Sequence, residues 1–166
     1  MKIRKAKFPE KALKLIAIYK QKGSVELKKI KPKWAVGKKY QHATSLFKNS
    51  SKDYLIFRTS IKKLVEEIDF GEMGHSPVNP EVMFNGVNVR DIRVVTTLDH
   101  WNKGEYIDPP EVYVDRLGKL YFNNGRHRTV AAFNLKSHII PIAIHSSQVE
   151  MVKKSLNLTG PIIAKK

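Results

Sequence analysis

The chain has 166 residues, 42% of them apolar, enough to bury one core of ordinary size. It contains no cysteine, which excludes disulfides, thiolate zinc sites and cysteine nucleophiles and leaves any chemistry to oxygen and nitrogen groups. Lys and Arg number 31 against 15 Asp and Glu, and a net charge of +16 attracts polyanions by releasing their counterions, so nucleic acid is the first partner to expect and anionic lipid the second.

The charge is uneven: residues 1–40 carry a net +12 and residues 41–166 a net +4. A single domain is expected, divided into a basic N-terminal portion (1–86) and a compact core (about 87–158). The basic portion offers Lys2, Arg4, Lys5, Lys7, Lys28, Lys29, Lys31, Lys33, Lys38 and Lys39 as nucleic-acid contacts. Lysine without arginine or aromatic residues is a weak recognition signal, and a solvated lysine-rich face is the competing explanation. The apolar stretch from Leu13 to Tyr19 is broken by Lys14, too short and too charged for a signal-peptide core or a membrane span. A soluble, cytoplasmic protein is the expectation.

In chain order, Pro9 to Gly23 reads as a short helix, with Pro suited to its first turn and Gly to its end. From Ser24 to Lys52 the pattern is poor and suggests a strand or two joined by loops. Tyr54–Phe57 reads as a strand, followed by a helix capped by Thr59 or Ser60 with Ile61, Leu64, Val65 and Ile68 on one face, ending near Phe70-Gly71. Gly71–Pro80 reads as a loop. Val87, Val89, Ile92, Val94 and Val95 suggest one or two strands, with a short turn or helix at Asp99–Gly104 displaying Trp101. Pro109-Pro110 opens a strand over Glu111–Val114, which turns at 116–119 and returns as Leu120–Phe122. A helix over His127–Asn134 and a buried strand over Ile139–Ile144 follow. Ser147–Glu150 reads as a capping box for a last helix ending near Leu156, and the tail from Thr159 reads as loose.

The chemistry concentrates where the second strand of that hairpin stops. Asn124 and Gly125 tolerate the positive φ of a sharp turn, and the helix that follows begins with unpaired amides whose dipole favours an anion. Arg126, His127, Arg128 and Thr129 then occupy its first turn, where acidic residues would be the ordinary choice. Two arginines against the dipole are unfavourable unless something anionic offsets them. The alternative is that the arginines face water or pair with Asp115 or Glu111, and that His127 is a satisfied, half-buried polar group.

This arrangement, a strand, Asn124-Gly125-Arg126-His127-Arg128, a helix continuing Thr129-Val130-Ala131-Ala132, then a strand containing Ile140-Pro141-Ile142, resembles the signature of the ParB/sulfiredoxin (ParB/Srx) superfamily over roughly residues 90–150. Asn124 takes the place of the usual Asp, and Pro141 stands where the family's proline is expected. The resemblance implies an α+β fold, a small mixed sheet flanked by helices, here with a basic N-terminal extension. Sulfiredoxins carry a cysteine immediately before the His-Arg pair, and Arg126 in that place removes sulfinic acid reduction. Chromosome-partitioning members carry Gly-Glu-Arg-Arg and a downstream helix-turn-helix, for which too few residues follow Ile144. What remains is similar to the single-domain plasmid fertility-inhibition (oncogenic suppression) factors, which block conjugative transfer.

That subgroup implies binding of ATP or another nucleotide, and of DNA. It also implies metal-assisted nuclease or ATPase activity with Mg2+ or Mn2+, and a conjugation- or secretion-machine protein as partner. Arg126, His127 and Arg128 would act on phosphate. The loop before the hairpin contributes to the superfamily's nucleotide site, which makes Asp99, His100 and Asp108 supporting candidates. His127 could serve as a general acid or donate a hydrogen bond to phosphate. A non-catalytic inhibitor or adaptor built on the same pocket is the alternative. His42, His75, His100, His138 and His145 show no ligand spacing, and the P-loop, Gly-x-Gly-x-x-Gly and His-Glu-x-x-His signatures are missing. Trp34 and Trp101 are candidates to stack a base, with core packing the more ordinary use.

Overall fold

The computed structural model describes residues 8–37, 53–73 and 75–162. Lys2, Arg4, Lys5, Lys7, Lys38, Lys39 and His42 lie outside the described residues. Helix α1 (Glu10–Gln21) follows Pro9, carries Glu10 in its first turn and Lys20 in its last, and buries Ile16 and Tyr19. Of the Ser24–Lys52 stretch, where a strand or two joined by loops was expected, residues 38–52 lie outside the described residues, and Ser24–Leu27 forms a single helical turn, α2. The chain then runs extended to Trp34, which makes one parallel bridge to Ile107.

Strand β1 (Tyr54–Ser60) is three residues longer than the apolar run suggested. Its last residue, Ser60, caps α3 (Ile61–Glu67) by accepting a hydrogen bond from the Lys63 amide at 3.3 Å. The helix stops at Glu67 because Ile68 turns extended and, with Asp69, forms β2. The 71–80 segment holds a small hairpin, β3 (Glu72–Met73) against β4 (Ser76–Pro77).

The valine-rich stretch is one helix, α4 (Asn88–Asn102), which corrects the expectation of strands there. Asp91, Val94, Val95, Leu98 and Trp101 are buried at spacings of three and four, the period of one helical face, and packing on that face overrides the strand preference of the valines. Trp101 belongs to the core: its indole N–H donates to the Lys33 carbonyl at 3.1 Å, and its ring meets Trp34 edge-on at 5.0 Å.

Strands β5 (Glu111–Val114) and β6 (Leu120–Asn124) make the expected hairpin, α5 (Arg126–Asn134) follows Gly125, and β7 (Ile139–His145) is buried from Ile140 to Ile144. The expected capping box does not form. Ser146–Gln148 is a 3-10 turn in which His145 Nδ1 accepts from the Ser147 amide at 3.3 Å. Gln148 is committed elsewhere, its Oε1 accepting from the Val114 amide at 2.8 Å, and α6 (Val149–Ser155) starts without a side-chain cap. The tail is held as far as Ile162: Thr159 exchanges two backbone hydrogen bonds with Arg58, and the Ile162 amide donates to Ile56 at 2.7 Å.

These elements build an α+β fold around a five-stranded mixed sheet of order β1-β7-β5-β6-β2, in which β7–β5 and β6–β2 are parallel pairs. Helix α1 packs on α4, α4 on α5, α5 on α3, and α6 on β5 and β7. One hydrophobic cluster runs from Ile16 to Leu156, drawing on residues from both sides of Val87. Among the described residues no helix is long and apolar enough to cross a membrane.

The contact between α1 and α4 contains a buried charge. The Asp91 carboxylate accepts from the Asn85 and Gly86 amides at 3.1 and 3.0 Å and from Lys20 at 2.8 Å, with Arg90 at 3.6 Å. Arg90 donates to the carbonyls of Met83, Asn79 and Val82, fastening the loop before α4. Removing one partner of such a set leaves a buried charge uncompensated. Asp91→Ala is therefore expected to cost about 3 kcal/mol, seen as a lower urea midpoint with an unchanged slope.

Candidate phosphate-binding site

Strand β6 delivers Asn124 to the end of the sheet, and Gly125 turns the chain with φ +94°. Only glycine fits. A Cβ at this position would lie 2.6 Å from Pro110 Cα and 2.8 Å from an Arg128 guanidinium nitrogen. Helix α5 therefore starts hard against the 109–110 loop, with no side-chain cap and no acidic residue in its first turn. Its opening amides face the space that Asn124, Gly125, His127 and Arg128 border.

Two clefts meet at this turn. The larger, about 890 Å³, is walled by Ile92, Arg93 and Thr96 of α4, by Tyr106 to Asp108, and by Ala35, with the α5 turn as its floor. The smaller, about 300 Å³, lies toward β2 and β3 and is bordered by Asp69, Phe70, Met73, Tyr121, Asn123 and Arg126. Arg93, Asn124, Gly125 and His127 border both.

His127 is the centre of the arrangement. Its ring is 8% exposed, and its Nε2 has no hydrogen-bond partner. Burial, and then the charges of Arg126, Arg93, Arg90 and Arg128, push its pKa down to about 3. The imidazole is thus neutral at physiological pH. Four guanidiniums crowd a neutral ring whose buried nitrogen is unsatisfied, an environment suited to an incoming anion or hydrogen-bonding ligand.

The arginines divide by what they already hold. Arg126 donates to the carbonyls of Phe70 and Glu72 at 3.0 and 3.1 Å, so it fastens the β2–β3 connection, and burial with Arg93 nearby lowers its pKa. Arg128 reaches the Pro109 carbonyl at 3.4 Å and borders the larger cleft. Arg93 is exposed, borders both clefts, and its guanidinium has no hydrogen-bond or ion-pair partner among the described residues. Sequence reasoning missed Arg93, because the segment was read as strand. The spacing of Asp91, Val94, Val95, Leu98 and Trp101 was the signal available, since it marks a helix with Arg93 off its buried face.

The remaining predicted residues are placed unequally. His100 and Asp108 line the larger cleft, and His100 is paired with Glu105. Asp99 turns toward α1, where it accepts from Tyr19 at 3.1 Å and pairs with Lys103 at 2.5 Å. Thr129 is fully buried and returns its hydroxyl to the Gly125 carbonyl at 3.2 Å. Asp115 holds its own turn through the amides of Leu117 and Lys119, and buried Glu111 accepts from Asn123 at 3.0 Å. Lys28, Lys29, Lys31 and Lys33 are all exposed, and Lys33 Nζ lies 5.9 Å from the Tyr106 ring at the cleft wall. Among the described residues no three His, Asp or Glu side chains are grouped so as to hold a metal ion.

No protein-family model, curated protein or solved structure matches the chain.

Two outcomes follow from this geometry. Gly125→Ala is expected to cost at least about 2 kcal/mol, because a left-handed backbone strains any other residue and the Pro110 contact forces the loop away. Chemical denaturation measures it. For His127 the folded pKa lies below the ordinary value near 6.5. As the pH falls, the unfolded chain takes up this proton first, so stability present above pH 6.5 is lost progressively toward pH 3. The slope in that window is about 1.4 kcal/mol per pH unit. Denaturation between pH 6.5 and 5 should show this slope in the wild type and its disappearance in His127→Asn.

Proposed function

We propose that the chain is a nucleotide- and DNA-binding protein of the ParB/Srx kind, which holds a phosphate group at the start of α5. The observation that carries this reading is the buried, unpartnered Nε2 of a neutral His127 beside the uncapped α5 amides, with Arg93 and Arg128 at the same cleft. Helix amides and guanidinium forks are the donors phosphate oxygens favour. A neutral imidazole adds one more donor or acceptor without further charge. The order of strand, left-handed glycine, helix and strand supports the likeness to the superfamily.

The larger cleft suits a nucleoside attached to that phosphate. Its volume falls within the ~300–1,000 Å³ range of small-molecule sites, and Ala35, Ile92, Tyr106 and Ile107 provide an apolar wall for a base or sugar. ATP or a related nucleotide fits this chemistry. Mg2+ or Mn2+ bound to the nucleotide's own oxygens would find the Asp108 carboxylate in the cleft lining, and one carboxylate with phosphate oxygens and water is an accepted magnesium environment. The ion would neutralise phosphate charge. The chain's part is to orient that phosphate through Arg93, Arg128 and the amides of α5.

Binding without turnover is the reading these observations favour. A histidine with a pKa of about 3 does not carry a proton to a leaving group at neutral pH. Contact with DNA is assigned to the exposed lysines at 28, 29, 31 and 33, whose segment joins the cleft through the Ala35 amide bonded to Ile107 at 2.8 Å. Such a protein would act as an inhibitor or adaptor of a DNA-transfer machine. Metal-assisted hydrolysis is the second reading, favoured by Asp108 in the cleft lining.

A thermal-shift titration with ATP, with and without magnesium, tests the proposal. Wild type should be stabilised. Arg93→Ala and Arg128→Ala should each weaken binding roughly 10- to 150-fold, the worth of a charge-assisted hydrogen bond. Arg126→Ala should lower the melting temperature of the free protein more than it weakens ATP. Phosphate release or DNA cleavage that depends on Arg128 in the presence of Mg2+ or Mn2+ would replace the binding reading with the catalytic one.

A further inference from the structure

The smaller cleft reaches from the α5 turn to Tyr121 of β6. Its wall at Tyr121 opens onto the β5–β6 hairpin, where Tyr121 stacks on its register partner Tyr113 with centroids 5.7 Å apart and planes 25° from parallel. Tyr113 is 39% exposed, although large rings in a domain of this size are usually covered. Basic groups flank the pair. Lys119 Nζ lies 5.3 Å from the Tyr121 ring centroid, and Arg116 stands exposed on the same turn. Asp69, the acid of this cleft, is occupied by Lys119 at 2.7 Å and by the Gly71 amide at 2.7 Å, and those two bonds lower its pKa.

We infer that the site takes a single strand of nucleic acid, with one phosphate at the start of α5, the backbone passing Arg93 through the smaller cleft, and a base stacked on Tyr113. The inference rests on the phosphate reading above and extends it to a polymer. Three features favour a strand. The two clefts share the exposed guanidinium of Arg93, which offers a strand positive charge on both sides of the turn. Tyr121 and Asn124 are three strand residues apart, roughly 10 Å, which sets the aromatic pair beyond the reach of the phosphate itself. Exposed aromatic rings interleaved with Lys and Arg are the surface on which unpaired bases stack, and a duplex keeps its base faces hidden.

A cross-strand tyrosine pair also steadies a hairpin, so the test separates the two roles. The probes are a labelled oligothymidylate, the same strand paired with oligoadenylate, and an oligouridylate to compare DNA with RNA, all followed by fluorescence anisotropy, with ATP binding measured in parallel. Tyr113→Ala should weaken the single strand roughly 5- to 150-fold and leave ATP binding unchanged. Tyr113→Phe should retain strand binding, and Arg93→Ala should weaken both ligands. ATP should displace the oligonucleotide competitively. Strand affinity indifferent to Tyr113→Ala, in a variant that still binds ATP, would overturn the stacking platform while leaving the phosphate site standing. Strand affinity that falls with Tyr113→Ala but ignores both Arg93→Ala and ATP would overturn the path through α5. Loss of duplex and single strand to the same extent in Tyr113→Ala would overturn the preference for unpaired bases.

Discussion

Among the described glycines the tightest approach is that of Gly125 to Pro110, where even a methyl group would meet backbone at 2.6 Å. Because the turn takes a left-handed glycine against that loop, the first amides of α5 are fixed relative to residues 107–110. That loop is tied in turn to residues 33–35 by paired bonds, Ala35 donating to Ile107 and Ile107 to Lys33. Trp101 adds a third bond to the Lys33 carbonyl from α4. Residues 33–35, Trp101 of α4 and the 107–110 loop are thus held together beside the turn by two backbone hydrogen bonds and one from the Trp101 indole. Preorganised donors of this kind bind an anion without first ordering themselves.

Around that fixed turn, the four arginines near His127 perform different tasks. Arg90 and Arg126 are consumed by main-chain carbonyls, three for Arg90 and two for Arg126, and so fasten the loops that precede α4 and follow β2. Their charge still reaches the imidazole and helps hold it neutral. Arg93 borders both clefts, and Arg128 borders the larger one while reaching the Pro109 carbonyl. Like charges gathered around a dry ring are unfavourable in isolation, and an anion converts the same arrangement into a favourable one. The arginine count in the sequence does not disclose this division, because it depends on which carbonyls lie within reach.

The site turn was legible in the sequence because its signals are local. Asn124-Gly125 before a helix, the basic first turn and the flanking strands of β branched and aromatic residues each point to the same conformation, and the structure has it. The helix α4 was not legible by composition, since Val89, Val94 and Val95 favour strands, although the buried spacing from Asp91 to Trp101 was written in the same residues. Arg93 was lost with it. The capping box at Ser147 failed for a different reason: Gln148 is drawn to the Val114 amide, a partner 34 positions away that no local pattern contains. Asp99 was placed at the cleft by its position before the hairpin, yet a helical residue points by phase, and its phase faces Tyr19.

Phase also bears on whether the pocket turns over its ligand. Of the acids that sequence places near the turn, Asp99 faces α1, Asp115 stabilises its own turn and Glu111 is buried against Asn123, while Asp69, brought there by the fold, pairs with Lys119. Asp108 is the carboxylate in the lining of the larger cleft. Phosphoryl transfer needs charge neutralisation together with a positioned nucleophile and a group to take its proton. Neutralisation is abundant here, and the groups at the cleft that could move a proton are a histidine held neutral and the Asp108 carboxylate. The exposed lysines at 28, 29, 31 and 33 add positive charge beyond the cleft wall, a field that added salt screens.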